Sequence, residues 1–326
     1  MRLRILGSAA GGRFPQWNCG CANCVAVRAN ARASAHDVAP ENARSGVPRP
    51  AFHAKPRTQA QLALSSDGSR WFLAGGSPDL AFQIEATPEL HPRALRDSPI
   101  AGVVLSSADL DHVVGLLLLR ELQPLRVYAA PSILRILREE NSVFGMLNRV
   151  DPQVMWTPLT APAPFPLLDA AGIDSGLCCA AVFLSGRYPK YVKSTALARE
   201  ASAALFFEGQ SSSSAAKARI AYVPAVEKLD AVLLAKIEGV DALLFDGTFW
   251  SNDELIRIQG GGETAHQMGH IPVEESLRLL KNVKVGRRIY IHINNTNPIL
   301  NQSSPEYRAV RDAGWEVAED NWHLEL

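Results

Sequence analysis

The chain has 326 residues, of which 47% are hydrophobic, and 33 basic side chains balance 33 acidic ones, so the formal net charge is zero. This length and apolar content permit one large domain, or two modest ones, with a substantial core. A neutral chain without a dense basic tract attracts phosphate backbones poorly, which argues against nucleic acid as a partner.

The apolar runs of the chain are short. The longest, VVGLLLL, falls well below the roughly 20 residues that a membrane span needs. The amino-terminal stretch MRLRILGSAAGG lacks the apolar core of a signal peptide. We therefore expect a cytoplasmic protein without a membrane span, and a homodimer is compatible with this composition.

The first predicted strand, RLRILGS, leads through a glycine-rich loop to a cluster of three cysteines, Cys19, Cys21 and Cys24. Three thiolates within six residues can converge on one soft metal ion, whereas an odd count of five cysteines makes a poor disulfide framework. The cluster predicts a structural zinc site with a fourth ligand elsewhere; free surface thiols are the alternative. Cys178 and Cys179 lie in an apolar strand, where core packing is expected.

The rest of the sequence predicts strands and helices that follow one another along the whole chain. Residues from about 28 to 50 are rich in Ala, Arg and Pro and predict an irregular insertion. Asp67-Gly68 predicts a hairpin turn, and VVGLLLLREL predicts a helix. A second hairpin, with a serine-rich tip, is expected over about 201–223. Since no linker divides the pattern, we predict one domain over residues 1–326.

Polar side chains follow three of the apolar strands. Asp111 and His112 come after AGVVLSS, Asp246 ends ALLFD, and His292 follows IYI. The carboxyl ends of strands are where α/β folds place their chemistry, so these groups can converge on a divalent metal. Taken singly, each has a simpler interpretation, because Asp246 begins an Asp-Gly turn and His292 could be a hydrogen-bonded core histidine.

The stretch from Ser107 to His112 resembles the His-x-His-x-Asp-His motif of the metallo-β-lactamase superfamily, with both earlier histidines replaced. Other motifs extend the resemblance over almost the whole length to one branch, the pyrroloquinoline quinone (PQQ) biosynthesis protein B family; they are ILGSAAGG, FPQWNCGCANC, RTQAQLALS, FDGTFW, GHIPVEESL and RIYIHINNTNPIL. The resemblance implies an α/β fold, the metallo-β-lactamase-like αββα sandwich, with the metal site at one edge of the two sheets.

The resemblance also implies that the first metal of dinuclear relatives is absent or weak here. Its ligand positions fall on Ser107, on Asp109 and on the loop around Gly186, none of which is a histidine. A single ion is therefore expected.

The second metal of such relatives would keep all its ligands. These positions fall on Asp111, His112, Asp246 and His292, and His270 matches a further histidine of a related phosphodiesterase branch. By this resemblance His270 is a ligand or a nearby proton-transfer group, and Asp246 is a ligand or a partner of one. A polar loop residue is the simpler interpretation of His270.

The cysteine cluster matches a zinc site of the same phosphodiesterase branch. There a histidine three residues after the last active-site histidine is the fourth ligand, and here that position holds Asn295. The resemblance leaves Asn295, a water or another residue as the fourth ligand of a structural zinc.

A mononuclear site with open positions suits Fe(II) and O₂ chemistry better than hydrolysis by two metals, although the same ligands would bind zinc readily. The family resemblance implies hydroxylation of the tyrosine in a Glu-Tyr-like PQQ precursor, with O₂ as co-substrate. Arg187, Lys190 and Lys193 are candidates to bind its carboxylates, or else form a solvated face. The alternatives are a carrier that moves PQQ or its precursor across the membrane to the periplasm, and a metal-dependent phosphodiesterase or other hydrolase.

Overall fold

Two seven-stranded β-sheets form the centre of the molecule, and the computed structural model describes residues 1–35, 52–192, 198–211 and 216–326. The strands in chain order are β1 (Arg2–Gly7), β2 (Gln61–Ser65), β3 (Trp71–Ala74), β4 (Ile100–Val104), β5 (Leu125–Ala129), β6 (Val154–Pro158), β7 (Phe165–Leu168), β8 (Asp174–Leu184), β9 (Ser202–Gln210), β10 (Lys217–Val223), β11 (Ala242–Asp246), β12 (Arg287–Ile291), β13 (Glu316–Val317) and β14 (Trp322–Glu325). The α-helices are α1 (Ala22–Ala35), α2 (Leu80–Glu85), α3 (Leu110–Val113), α4 (Pro131–Arg135), α5 (Ala231–Ile237), α6 (Glu254–Gln259), α7 (Val273–Leu279) and α8 (Pro305–Asp312).

Each sheet has an antiparallel half and a parallel half. The first has the order β14-β1-β2-β3-β4-β5-β6 and is parallel from β3 to β6; the second has the order β13-β12-β11-β10-β9-β8-β7 and is parallel from β10 to β13. In parallel strands the carboxyl ends share one edge, so side chains that follow them are brought together. The polar residues that follow the parallel strands therefore lie at one edge of each sheet.

Three apolar clusters hold the layers of the fold together, one between the two sheets and one on the outer face of each sheet. The inner cluster joins side chains of both sheets, among them Leu62, Phe72, Phe207 and Leu244. The outer face of the first sheet packs against α2, α3 and α4, and that of the second sheet against α1, α5, α7 and α8. Successive side chains of a strand point to opposite faces, and strands such as β2 and β11 are buried along their whole length because both faces of each sheet are covered. The predicted αββα sandwich is thus confirmed.

Within the described ranges no helix has both the length and the apolar content to cross a bilayer. Several local predictions can also be placed. The Asp67-Gly68 turn connects β2 to β3 as an antiparallel hairpin, and the serine-rich hairpin corresponds to β9 and β10, with residues 212–215 outside the described residues. Cys179 is buried in β8, but Cys178 in the same strand is half-exposed rather than in the core.

Two local predictions were wrong in extent. The irregular insertion expected from about residue 28 cannot begin there, because α1 continues through Ala35; residues 36–51 lie outside the described residues. The predicted helix VVGLLLLREL is instead the short helix α3 followed by a 3₁₀ helix over Val114–Leu119. Gly115 lies within this 3₁₀ helix.

Gly115 packs directly on the loop after β3, and we expect Gly115→Ala to destabilise the fold by about 1–3 kcal/mol. A Cβ at this position would lie 2.1 Å from the Ser77 carbonyl oxygen, and the Gly115 amide donates to the Gly76 carbonyl oxygen at 2.7 Å. Denaturant unfolding measures the loss. Gly145→Ala is the control, since no described atom lies within 4 Å of its Cβ position. Equal stability of the two variants would contradict this account.

Candidate metal centre

Five polar side chains converge at the parallel edge of both sheets, where four of them line a cavity of about 700 Å³ and the fifth, Asp246, is buried behind it. Two come from the first sheet through the turn after β4, and the others come from the ends of β11 and β12 and from the loop before α7. All five site residues expected from the sequence are therefore brought together: Asp111, His112, Asp246, His270 and His292.

Asp111, His112 and His292 form the first of two groups. The Asp111 Oδ2 atom lies 3.1 Å from His292 Nε2 and 3.8 Å from His112 Nε2. Ligand atoms about 2.0–2.2 Å from a shared ion lie roughly 3–3.5 Å from one another in octahedral or tetrahedral sites. The contact between Asp111 and His292 has this spacing, that to His112 is slightly longer, and two imidazoles with one carboxylate have the chemistry that a borderline divalent ion requires.

The electrostatics of this group also suit a metal. Burial lowers the pKa of His112, although the Asp111 charge opposes that shift, so the imidazole is neutral at neutral pH. Burial alone would raise the pKa of Asp111, but the neighbouring His112 and His292 hold it well below its usual range. A neutral imidazole and an ionised carboxylate are the protonation states in which these side chains bind metals.

The second group consists of Asp246, His270 and His292, with Thr248 between them. Asp246 is fully buried; its Oδ2 accepts from the Val226 amide at 3.0 Å and lies 2.9 Å from His270 Nδ1. Burial acts to lower the pKa of His270, but the charge and hydrogen bond of Asp246 outweigh it and raise that pKa. The imidazole of His270 is thereby held against Asp246.

Thr248 is a site residue that sequence reasoning missed. Its Oγ1 lies 2.7 Å from Asp246 Oδ1, 2.8 Å from His292 Nδ1 and 3.1 Å from His270 Nδ1. The motif FDGTFW places this hydroxyl two residues after Asp246, at the same strand end. That position was the available signal, but a lone threonine next to a turn carries no chemistry of its own in a sequence.

The three histidine rings are stacked. The centroids of His112 and His292 are 5.4 Å apart with an interplanar angle of 17°, and those of His270 and His292 are 5.5 Å apart with 23°. The edge of Phe249 closes one side of His270, with centroids 5.8 Å apart. The stack gives the site a wall of parallel rings beside an apolar surface.

The positions that would hold a first metal carry no imidazole. The Ser107 hydroxyl donates to Asp109 Oδ2 at 2.8 Å, and Asp109 and Gly186 line the cavity. Burial and the charge of Asp111 raise the pKa of Asp109. None of these three positions offers an imidazole to a first metal.

The expected substrate-binding residues are only partly placed at the cavity. Arg187 lines it and forms an ion pair with Glu263 at 3.1 Å. Lys190 is exposed and is not among the described residues that line the cavity, because its loop turns away to pack Tyr188 and Tyr191 on the outer cluster of the first sheet. Lys193 lies outside the described residues.

The cysteine cluster forms a separate site beside the loop of His292. Cys19, Cys21 and Cys24 bring their sulfur atoms within 4.8 Å of one another, and Asn295 Nδ2 lies 3.1, 3.6 and 3.4 Å from them in that order. The Asn295 amide thus donates toward all three sulfur atoms, and three converging thiolates are the soft ligands that a structural zinc ion prefers. Burial raises the pKa of Cys24 to about 11, so an unbound site keeps this thiol protonated.

The chain is similar to known proteins over its whole length. A sequence model described as the beta-lactamase superfamily domain matches residues 70–293. The coenzyme PQQ synthesis protein B of Methylorubrum populi is 39% identical, with complete coverage of both chains, and that of Gluconacetobacter diazotrophicus is 39% identical, with 99% of this chain and 98% of the relative covered. The crystal structure of Zn²⁺-bound PqqB from Methylobacterium extorquens matches with a TM-score of 0.84 and 37% identity over 100% of each chain. A diphosphatase of the PhnP family shares the fold, with a TM-score of 0.62 and 16% identity over 100% of this chain and 97% of its own.

Proposed function

Because this chain belongs to the metallo-β-lactamase superfamily and, within it, to the coenzyme PQQ synthesis protein B family, we propose that it is a metal-dependent enzyme of PQQ biosynthesis. Its reaction is the hydroxylation of the tyrosine ring in a Glu-Tyr-like precursor, with Fe(II) as the metal and O₂ as co-substrate. One oxygen atom of O₂ enters the ring, and the other leaves as water with two electrons from an external reductant and two protons. The protein is thus an oxygenase rather than a hydrolase.

The observation that carries this proposal is the composition of the first ligand group. Asp111, His112 and His292 present one carboxylate and two imidazoles toward a cavity, and two histidines with one carboxylate, leaving open positions, is the ligand set of non-haem Fe(II) oxygenases. Fe(II) held there would supply the activation of dioxygen. Zinc fits the same three ligands, and the structural site of the cysteines fits zinc through its sulfur atoms.

The cavity suits the proposed substrate in size and polarity. A volume of about 700 Å³ lies within the usual range for a small-molecule site. Phe249 and Val226 give it an apolar side against which a phenol ring can pack, while Arg187 stands at the mouth as a partner for a carboxylate. Asp109 and Gly186 also line the cavity and carry no imidazole, so the rest of the substrate can lie beside them.

The reaction itself is the direct test. The protein stripped of metal is reconstituted with Fe(II) without oxygen, mixed with a Glu-Tyr dipeptide and ascorbate as the reductant, and exposed to ¹⁸O₂, and the product mass is measured. We expect added labelled oxygen, and none from the Zn²⁺-loaded protein. An unchanged dipeptide at full iron occupancy would refute the hydroxylase for this substrate, and two tightly bound ions at this centre would favour hydrolysis.

Arg187 should affect binding of the substrate more than turnover. A charged hydrogen bond contributes about 1.5–3 kcal/mol, so Arg187→Ala should raise KM by roughly 10-fold or more while kcat changes little. Glu263→Ala, which frees Arg187 from its ion pair, should lower KM or leave it unchanged. Lys190→Ala is the control, because this exposed side chain is not one of the described residues that line the cavity. A fall in kcat alone for Arg187→Ala would contradict the assignment.

A further inference from the structure

A single hydroxyl group stands behind the histidines of the metal centre. Thr248 Oγ1 lies within 3.1 Å of Asp246 Oδ1, His270 Nδ1 and His292 Nδ1, and 2.9 Å from the His292 carbonyl oxygen. Thr248 itself is 3% exposed. Thr248 therefore contacts both the ring and the backbone of His292, a candidate ligand, and the ring of His270.

The hydroxyl has one proton, and this limits how its contacts can be made. Asp246 Oδ1 and the His292 carbonyl oxygen can only accept, so the proton of Thr248 is shared between these two. The remaining contact to His292 Nδ1, at 2.8 Å, is satisfied only if that nitrogen donates to the threonine oxygen. His292 consequently carries a proton on Nδ1, so that its Nε2, 3.1 Å from Asp111 Oδ2, can share a metal ion with that carboxylate.

The same reasoning extends to His270 through Asp246. Asp246 accepts from two backbone amides, that of Val226 at its Oδ2 and that of Thr248 at its Oδ1. His270 Nδ1, 2.9 Å from Oδ2, must then donate as well. With these contacts each oxygen of Asp246 has two partners, so the carboxylate serves as an acceptor behind the rings and leaves Nε2 of His270 toward the cavity.

The backbone of His292 adds an independent reason for such support. Its φ is +58°, in the left-handed region that non-glycine residues rarely adopt. Such a conformation persists where surrounding contacts hold it. The Thr248 hydroxyl contacts the His292 carbonyl oxygen, and the Thr248 carbonyl oxygen accepts from the Asn294 amide at 3.1 Å.

We infer that Thr248 is a positioning residue that fixes the Nδ1–H tautomer and the orientation of His292, with Asp246 doing the same for His270. The inference deepens the proposed function and rests on it only for the consequence on metal binding. It also chooses between two roles that the sequence left open for Asp246, because the carboxylate orients His270 instead of binding the metal.

The experiment compares Thr248→Val with Thr248→Ser. Valine has nearly the shape of threonine but leaves His292 Nδ1 without an acceptor, and the Nε2–H tautomer can then donate to Asp111 Oδ2, 3.1 Å away. We expect a loss of about 10- to 100-fold in Fe(II) affinity for Thr248→Val, the usual effect of losing an outer hydrogen bond, and recovery in Thr248→Ser. Anaerobic chelator competition measures the affinity. Thr87→Val, at a buried threonine outside the cavity, is the matched control for folding.

The tautomer is read separately in the metal-free protein. Long-range ¹H–¹⁵N spectra of ¹⁵N-histidine-labelled chain distinguish Nδ1–H from Nε2–H, and His292→Gln identifies the signal of His292. We expect Nδ1–H in the native chain and in Thr248→Ser, and Nε2–H in Thr248→Val. Unchanged tautomer and affinity in Thr248→Val would overturn the inference. A native chain with the expected tautomer that binds no Fe(II) would refute the proposed function and leave the positioning role intact.

Discussion

Replacing His112 by alanine removes the active-site metal, and the oxygenation of the Glu-Tyr dipeptide falls by a factor on the order of 10³ or more, since the metal supplies several kcal/mol to such a reaction. His112 is 2% exposed, and its Nε2 faces Asp111 and the cavity. Deleting it leaves one imidazole and one carboxylate, too few to hold Fe(II) at a useful concentration. Metal analysis and product mass, measured on the same sample, test the prediction.

The design separates chemistry from folding. Asp111→Asn keeps the volume of the side chain and removes only its charge, so it should also lose the metal. His91→Ala is the control, because the His91 ring contacts the Glu85 carbonyl oxygen and lies outside the cavity lining. Retained turnover in a folded His112→Ala protein would mean that the chemistry occurs elsewhere.

Replacing Cys24 by serine should cost on the order of 4 kcal/mol of stability, equivalent to roughly 10 °C in the melting temperature, because loss of a structural metal is among the largest effects of one substitution. Cys24 is fully buried, and Asn295 joins the cluster to the loop that carries His292. Zinc content and thermal unfolding with and without a chelator test this expectation.

Two further variants sharpen the test of the cysteine site. Cys178→Ser removes a half-exposed thiol of β8 outside the cluster and should leave zinc content unchanged. Asn295→His supplies the imidazole that the resemblance leads one to expect at this position, and should raise zinc affinity. A chelator without effect on the melting temperature of the native chain would show that the cluster does not contribute through a metal.

The fold and the convergence of the metal-site residues were accessible from the sequence for a common reason. Asp111, Asp246 and His292 each follow or end a short apolar strand, and parallel strands bring such ends to one edge. The ability of these carboxylate and imidazole groups to bind a metal also follows from the type of side chain alone. The motifs that linked the chain to its family then fixed which strand ends meet.

What could not be predicted depends on contacts between distant segments. Thr248 gains its role from histidines 22 and 44 residues further along the chain. Gly115 packs against the backbone of Ser77, 38 residues earlier in the chain, and the local sequence pattern gives no sign of this contact. Lys190 has the charge of a substrate-binding residue, but the path of its loop carries it out of the cavity lining. In each instance the deciding partner lies far away in sequence.

The candidate ligands come from both sheets of the sandwich, Asp111 and His112 from the turn after β4 and His292 from the turn after β12. The amide of Ala10, just beyond β1, also bonds to the Ile293 carbonyl oxygen at 2.9 Å. An ion held by these three ligands would therefore cross-link the two sheets. At free metal concentrations of about 1,000 times Kd, binding of this ion adds about 4 kcal/mol to the free energy of unfolding. The concentration of free metal would thus set the stability of the folded protein as well as its activity.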